Sequence, residues 1–455
     1  MTEISGKLTL DALKQLASDG TIDTVIAACI DMQGRLMGKR FHINFFLDSA
    51  WEETHGCNYL LATDIEMFPA DGYKATSWSA GYGDYTMKPD ISTLRVIPWL
   101  EGTALVLCDV LDHHDHTPVP HSPRAVLRKQ IARLETMNIR AMMASELEFF
   151  LFRETYEELA DGARPTPISA YNEDYHIFQT TKEESVYRAL RNGLNAAAVP
   201  VENSKGEAEA GQGEINIRYA DALTMADSHS IVKNAAKEIA WQRGHAATFM
   251  AKWSHERAGS SSHIHQSLWS SEGAPLFYDA GDARGMSPMM RHYLAGLLAH
   301  ASEITFFLAP NVNSYKRFAR GTFAPTKAVW SDDNRTAGYR VCGANTEAVR
   351  VECRVGGSDL NPYLAFAALL AAGMRGIEES LPLEDMFRGD AYSGEGREIP
   401  KTLPAATAAL RDSEMLRAAF GDDVVNHYVH AAEWEQSEFE RHVTDWEFRR
   451  NFERS

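Results

Sequence analysis

The sequence predicts an α+β protein with a small β-rich N-terminal domain, residues 1–110, and a larger domain, residues 111–455, that carries the chemistry. Three observations predict it. Short β-rich runs broken by turns fill the N-terminal part, and a polar, proline-punctuated segment, "DHHDHTPVPHSPR", follows them. Beyond it, strand-like runs with one charged face are interspersed with long apolar helices. A length of 455 residues also exceeds what one simple core holds, which favours two domains.

In chain order, Leu8 to Ala17 reads as a short helix, and "DTVIAACIDMQGRLMGKRF" as two strands around a turn at Gln33–Gly34. Residues 55–100 are rich in Gly, Tyr, Asp and Pro, and the strand-like runs "TLRVIPWL" and "TALVLCDVL" close the domain. His113, His114, His116 and His121 are spaced irregularly among Pro118, Pro120 and Pro123, so this segment reads as a solvated loop and not as a metal site. Pro123 opens a helix, "PRAVLRKQIARLETM". A second helix is expected over "ADSHSIVKNAAKEIAWQRG", from its Asp/Ser start to its glycine stop. In "NPYLAFAALLAAGMRGIEESL", Asn361 is expected as the N-cap and Pro362 in the first turn. "HYVHAAEWEQSEFERHVTDWEFRRNF" reads as one amphipathic terminal helix.

Composition removes several function classes. The apolar share of 44% and charged share of 24% are those of a soluble globular protein. A net charge of -18 argues against nucleic acid and anionic membrane as partners, because phosphates require a basic surface. Five scattered cysteines without a C-x-x-C pair suit a reducing compartment. The N-terminus lacks a signal-peptide pattern, and the most apolar helical run is interrupted by Arg291, His292, His300 and Glu303, so a cytoplasmic protein is expected.

The charged strand faces carry the functional reading. In "SELEFFLF", period-two alternation puts Glu146 and Glu148 on one face of a strand. "GEAEAGQGEINIRY" does the same with Glu214, Asn216 and Arg218, with Glu207 and Glu209 just upstream. "SSSHIHQSLW" presents His263, His265 and Ser267, and "VRVECRVGG" presents Arg350, Glu352 and Arg354. One such strand is ordinarily a solvated edge. Four in one chain, converging, would need cations to offset carboxylate repulsion. Oxygen donors with an imidazole and no thiolate select Mg²⁺ or Mn²⁺. Arg317, Arg335 and Arg340, with Arg350 and Arg354, add forks for carboxylates and phosphates. Together these point to phosphoryl transfer onto a carboxylate substrate, and no Walker-type glycine loop is present.

These segments resemble the glutamine synthetase family over nearly the whole chain. "SELEFF" is similar to its E-x-E metal strand, "EAEAGQGEI" to its E-V-A-P-G-Q-x-E stretch, and "SSHIHQSLW" to its G-x-H-x-H-x-S-L-W. "NSYKRF", "NRTAGYR" and "VECRVGGSDLNPYLAFAALL" are similar to three further family segments, in family order. The resemblance implies a β-grasp-like N-terminal domain and a catalytic domain built on a curved antiparallel sheet flanked by helices. It implies two or three Mg²⁺ or Mn²⁺ ions per active site, with ATP as co-substrate. Glu148, Glu207 and Glu214 would hold one ion, and Glu146, His263 and Glu352 another. Arg317, Arg354 and Gly259 would bind L-glutamate, Arg335 and Arg340 would steady the transferred phosphoryl group, and Glu202, His265, Ser267 and Arg350 would face the nucleotide. It also implies a ring-based homo-oligomer, commonly a dodecamer.

The implied reaction phosphorylates the γ-carboxylate of glutamate and then lets an amine displace phosphate. The sequence departs from the family at the amine. In "RGTFAP" the family's glutamate, which closes over ammonium and takes its proton, is Phe323, and the early D-G-S-S loop is absent. Asp64 and Asp84 are the candidate replacements for an amine-facing carboxylate, and Glu347 stands where many members have a basic residue. These departures predict a γ-glutamyl-amide synthetase acting on a small primary amine, methylamine first. A true glutamine synthetase using ammonium is the alternative, and a catalytically inactive relative the third reading.

Overall fold

The computed structural model describes residues 6–455; residues 1–5, where the leader reading starts, lie outside that range. The expected hairpin forms from Thr24–Ile30 and Leu36–His42. Asp31 accepts from the backbone N–H of Gln33 and of Arg35, and Gly34 supplies the positive φ of 82° that the turn requires. Thr24–Ile30 also pairs in parallel with Thr103–Asp112. That strand is long enough to pair antiparallel with Asp84–Pro89 further along, and Asp84–Pro89 in turn with Thr54–Cys57. A hairpin whose first strand runs parallel to the last one gives the β-grasp-like sheet. Of "TLRVIPWL", only Arg95–Val96 is strand, and the first helix spans Leu10–Ser18 with Thr9 as its cap.

The second sheet has nine strands and centres on Ile139–Phe152. Gln212–Ile217 and Ser262–Ser270 flank it, both antiparallel. Val201–Gly206 lies outside the former, Arg350–Cys353 outside the latter, and then Tyr339–Cys342 and Trp330–Asp332. All pairings are antiparallel except that of the last two strands. The apolar faces, with Met143, Leu147, Phe149, Ile215, Ile264 and Val351, share one buried core with the helices. Half-covered antiparallel sheet of this kind leaves the alternate residues free for another purpose.

Helices from along the chain hold that core, among them three expected from sequence. Pro123–Thr136 has proline at its start, as expected. Ala222–Gln242 begins earlier than its Asp227/Ser228 start signal suggests, because the Asp221 side chain accepts from Thr224 N–H and caps it there. Pro362–Glu378 is capped by Asn361, whose amide also donates to the Asp31 and Met32 carbonyls, both at 3.1 Å, and ties the hairpin turn to the second sheet's core. A Cβ on Gly376 would meet the His292 carbonyl at 2.1 Å, so this helix and Pro288–Ala299 cross at a contact open only to glycine.

Two expectations are corrected. The terminal helix is two helices, Asp422–Arg441 and Asp445–Asn451, because Thr444 and Glu447 form a capping box that restarts the chain after an extended His442. His113, His114 and His116 are exposed loop residues, but His121 is buried: it meets the Tyr85 hydroxyl at 3.1 Å and stacks on His427 at 4.2 Å. Burial pushes its pKa down to about 4. Among the described residues no helix is long and apolar enough to cross a membrane, and all five cysteines are free.

Candidate active site

Strand register assembles the charged face. Glu148 sits opposite Glu214, Glu146 opposite both Asn216 and His263, and Glu352 opposite both His265 and Arg340. The side chains expected on one face from alternation alone therefore meet across four adjacent strands.

Glu148, Glu207 and Glu214 form one cluster, each offering an oxygen within 4.8 Å of the others. Glu148 is fixed by the Ser261 N–H at 2.7 Å and the Gln212 amide at 3.3 Å, and Glu214 by the Asn216 amide at 2.8 Å. Burial, then Glu146 and Glu207, push the Glu214 pKa up to about 8; burial with Glu207 and Glu214 raises Glu148 as well. Carboxyls whose charge is disfavoured by burial and by neighbouring carboxylates are the donor set a hard divalent cation relieves. Lys205 lies on Glu207 and 3.8 Å from Glu214, a counter-charge that motif reading missed.

Glu146 is the hub of a second cluster. His263 Nδ1 and His265 Nε2 lie 3.0 and 2.9 Å from its two oxygens, and His263 Nδ1 is 3.7 Å from Glu352. Burial alone would raise the Glu146 carboxyl, but these histidine hydrogen bonds outweigh it and hold it well below the usual range. Burial and Arg354 push the His263 pKa down to about 4, so the ring is neutral at physiological pH and able to ligate. Its Nδ1 faces the two carboxylates, and its Nε2 is buried without a partner. Glu146 and Glu352 group with His265 as readily as Glu146 groups with His263 and Glu214. His265 thus stands in a group that could hold a metal ion, besides lining the cavity where sequence reading expected it.

The arginines are ordered by carboxylates and backbone. Glu352, fully buried, takes Arg354 Nη1 at 2.6 Å and Arg340 Nη1 at 3.0 Å. Burial would raise its pKa, but His263 and Arg354 bring it down to about 2. Arg340 also donates to Asp333. Arg317 is buried beneath the site, donating to the Val355 and Arg354 carbonyls and the Ser261 hydroxyl, with Nε alone unpartnered. A Cβ on Gly259 would stand 2.7 Å from Arg317 Cγ and 2.5 Å from the Ala251 carbonyl, so Arg317 can lie there only under glycine. Arg335, Arg340 and Arg350 line one cavity together with Glu146 and His265.

A neighbouring cavity of about 490 Å³ brings Glu202, His265, Ser267 and Arg350 together. Apolar and aromatic residues, Met142, Tyr219 and Trp269 among them, line it together with polar ones that include Asn203, Asn216 and Glu347. Sequence reading named Glu202, His265, Ser267 and Arg350 but gave no cavity role to Met142 or Asn203, which lie outside the quoted motifs. Phe323 lines neither cavity. It is 57% exposed, on the loop after Arg317, and the Tyr392 hydroxyl anchors that loop through the Ala324 carbonyl at 3.1 Å. Asp64 is not at this face either: it accepts from the N–H groups of Glu66 and Phe68 and from Trp434, and Asp84 is exposed on its strand.

The chain is 46% identical to the gamma-glutamylethanolamide synthetase GlnA4 of Streptomyces coelicolor, over 98% of its own length and 96% of the relative's. It is 37% identical to the glutamate–isopropylamine ligase of a Pseudomonas species, over 94% and 95%. A solved structure described as a GmaS/ADP complex superposes with a TM-score of 0.84 at 27% identity, covering 97% of this chain and 99% of that one. The family profile for the glutamine synthetase catalytic domain matches residues 120–451, a span that holds both carboxylate clusters and every arginine of the site, and the chain belongs to the glutamine synthetase family.

Proposed function

We propose that this protein is an ATP-dependent ligase that joins the γ-carboxylate of L-glutamate to a short primary amine, releasing ADP and phosphate. The observation that carries the reading is the convergence, on one sheet face, of a three-glutamate cluster, a Glu–His–Glu cluster and an arginine set beside an apolar-walled cavity. The donor sets fit Mg²⁺ or Mn²⁺. Bound there, such ions would neutralise the phosphates of ATP.

The chain's own residues do the rest. Glu148, Glu207 and Glu214 form one ion site and Glu146, His263 and Glu352 the other, with His265 shared between ion and nucleotide. Glu202, Ser267 and Arg350 hold the nucleotide against the apolar walls of the adjoining cavity. Arg317, seated under Gly259, and Arg354 receive the glutamate carboxylates. Arg335 and Arg340 face the phosphoryl group in flight, where fixed positive charge lowers the barrier more than it tightens binding. Arg335→Ala should therefore lower kcat by about 10²–10³-fold while the KM for glutamate moves little. A pure KM effect would show that Arg335 binds substrate and leaves the transfer step to others.

For the amine, methylamine, ethanolamine and isopropylamine all carry carbon beside the ammonium nitrogen, and the replacement of the family's glutamate by Phe323 is what favours them over ammonium. We rank ethanolamine first, because the relative named for its product is 46% identical, and methylamine and isopropylamine after it. The test is phosphate release from ATP and glutamate with each amine and with ammonium. Release fastest with ammonium returns the protein to glutamine synthetase proper, and no release with any of them makes it an inactive relative.

A further inference from the structure

Away from the charged face, a cavity of about 470 Å³ opens between the hairpin turn of the N-terminal sheet and the helices Ala222–Gln242 and Asp422–Arg441. That volume suits a small organic molecule. Its walls carry opposite charges that do not meet. Lys233 and Lys237, one helical turn apart, form no ion pair among the described residues. Lys233 Nζ donates to the Ser358 carbonyl at 2.8 Å and stands 5.5 Å above the centre of the Phe249 ring. Lys237 meets only that ring, at 6.0 Å. Burial, with Lys237 nearby, pushes the Lys233 pKa down to about 7 against the opposing pull of Asp359 and Asp31. Across from them, Asp359 uses one oxygen for Asn311 and Ser314, while its other oxygen is buried without a partner.

We propose that this cavity is a regulatory site for a free α-amino acid with an apolar side chain, its carboxylate on Lys233 and Lys237 and its ammonium on the unpartnered oxygen of Asp359. A simple carboxylate would leave Asp359 unpaired, and a simple amine would leave both lysines so; a zwitterion satisfies both walls. Phe306, Phe307 and Leu364 receive the apolar side chain.

The site is coupled to the metal face by a short hydrogen-bonded path. Ser358, whose carbonyl holds Lys233, donates its N–H to the Ser260 carbonyl at 3.1 Å. The next residue, Ser261, donates its N–H to Glu148 at 2.7 Å. An occupant that draws Lys233 toward its carboxylate slackens the first bond of that path and shifts the donor that positions Glu148.

Calorimetric titration of the full chain, with Mg²⁺ and L-glutamate saturating, tests this with L-leucine, L-phenylalanine, 3-phenylpropionate and phenethylamine as probes. One of the two amino acids should bind one per chain, and L-phenylalanine about tenfold or more tighter than either of its truncated analogues if it is the one that binds. Lys237→Met, a cavity residue outside the catalytic machinery, should weaken that binding about tenfold while basal turnover stays intact. In the wild type the bound amino acid should shift the Mg²⁺ concentration for half-maximal phosphate release about twofold or more, with no shift in Lys237→Met. No binding of either amino acid, displacement by L-glutamate, equal binding of 3-phenylpropionate, or unchanged affinity in Lys237→Met would overturn the site. Binding without the Mg²⁺ shift would overturn its regulatory role.

Discussion

Glu148→Ala and Glu214→Ala should each lower turnover about 10³-fold at limiting Mg²⁺ while the chain remains folded. Each removes one carboxylate of the three-carboxylate cluster and leaves Glu207 facing the other, with the backbone pairing of the two strands untouched. Circular dichroism reports the fold and phosphate release the activity; near-wild-type release in either variant would remove the cluster from the metal assignment. The same cluster sets a pH dependence. The Glu214 carboxyl, at about 8, and the raised Glu148 carboxyl hold protons in the folded chain that the unfolded chain has already lost. Between the ordinary carboxylate range and about pH 8 the native state thus binds more protons, so without an ion stability falls as pH rises through that window. A divalent cation replaces those protons. The rise in Tm on adding Mg²⁺ should accordingly be larger at about pH 8 than at about pH 6. An increment independent of pH would mean that these carboxyls do not hold the ion.

Much of this site was legible in the sequence because strand alternation is a rigid rule. Once Glu146, Glu148, Glu214, His263, His265 and Glu352 each fall on the polar phase of a strand, antiparallel pairing brings them together with no further information. The parts that stayed hidden depend on contacts without a period. Lys205 stands at the three-glutamate cluster through a strand one place further out, and His121 is buried by Tyr85 and His427, a neighbour from the far end of the chain. The terminal helix read as continuous because its apolar pattern runs through His442, whereas the local hydrogen bonds of Thr444 decide the break. The opposed charges around Lys233 come from segments distant in sequence, and no single stretch of sequence announces them.

Phe323→Glu should move the enzyme's preference from alkylamine toward ammonium, lowering the ratio of kcat/KM for ethanolamine to that for ammonium about tenfold or more. Phe323 has a φ of 55°, a left-handed conformation that costs a bulky residue on the order of 1 kcal/mol. Tyr392 and the Thr322 hydroxyl, which donates to the Ala319 carbonyl at 2.7 Å, hold the loop in that shape. Tyr392 itself lies within electrostatic reach of Arg354 and Arg317, the two arginines proposed to receive glutamate. Ammonium has no apolar surface, so selecting it requires carboxylates that attract its charge and accept its proton. A phenyl ring supplies neither. It offers buried contact of roughly 0.8 kcal/mol per CH₂ of the amine and a ring face for its charge. Glutamate at this position restores the attraction, removes the wall and tolerates the same backbone no worse than phenylalanine. Phe323→Leu keeps an apolar wall and should retain the alkylamine preference, which separates loss of the ring from gain of the charge. An unchanged ratio in Phe323→Glu, or a wild-type enzyme that prefers ammonium at equal free-base concentration, would assign amine selection to another residue.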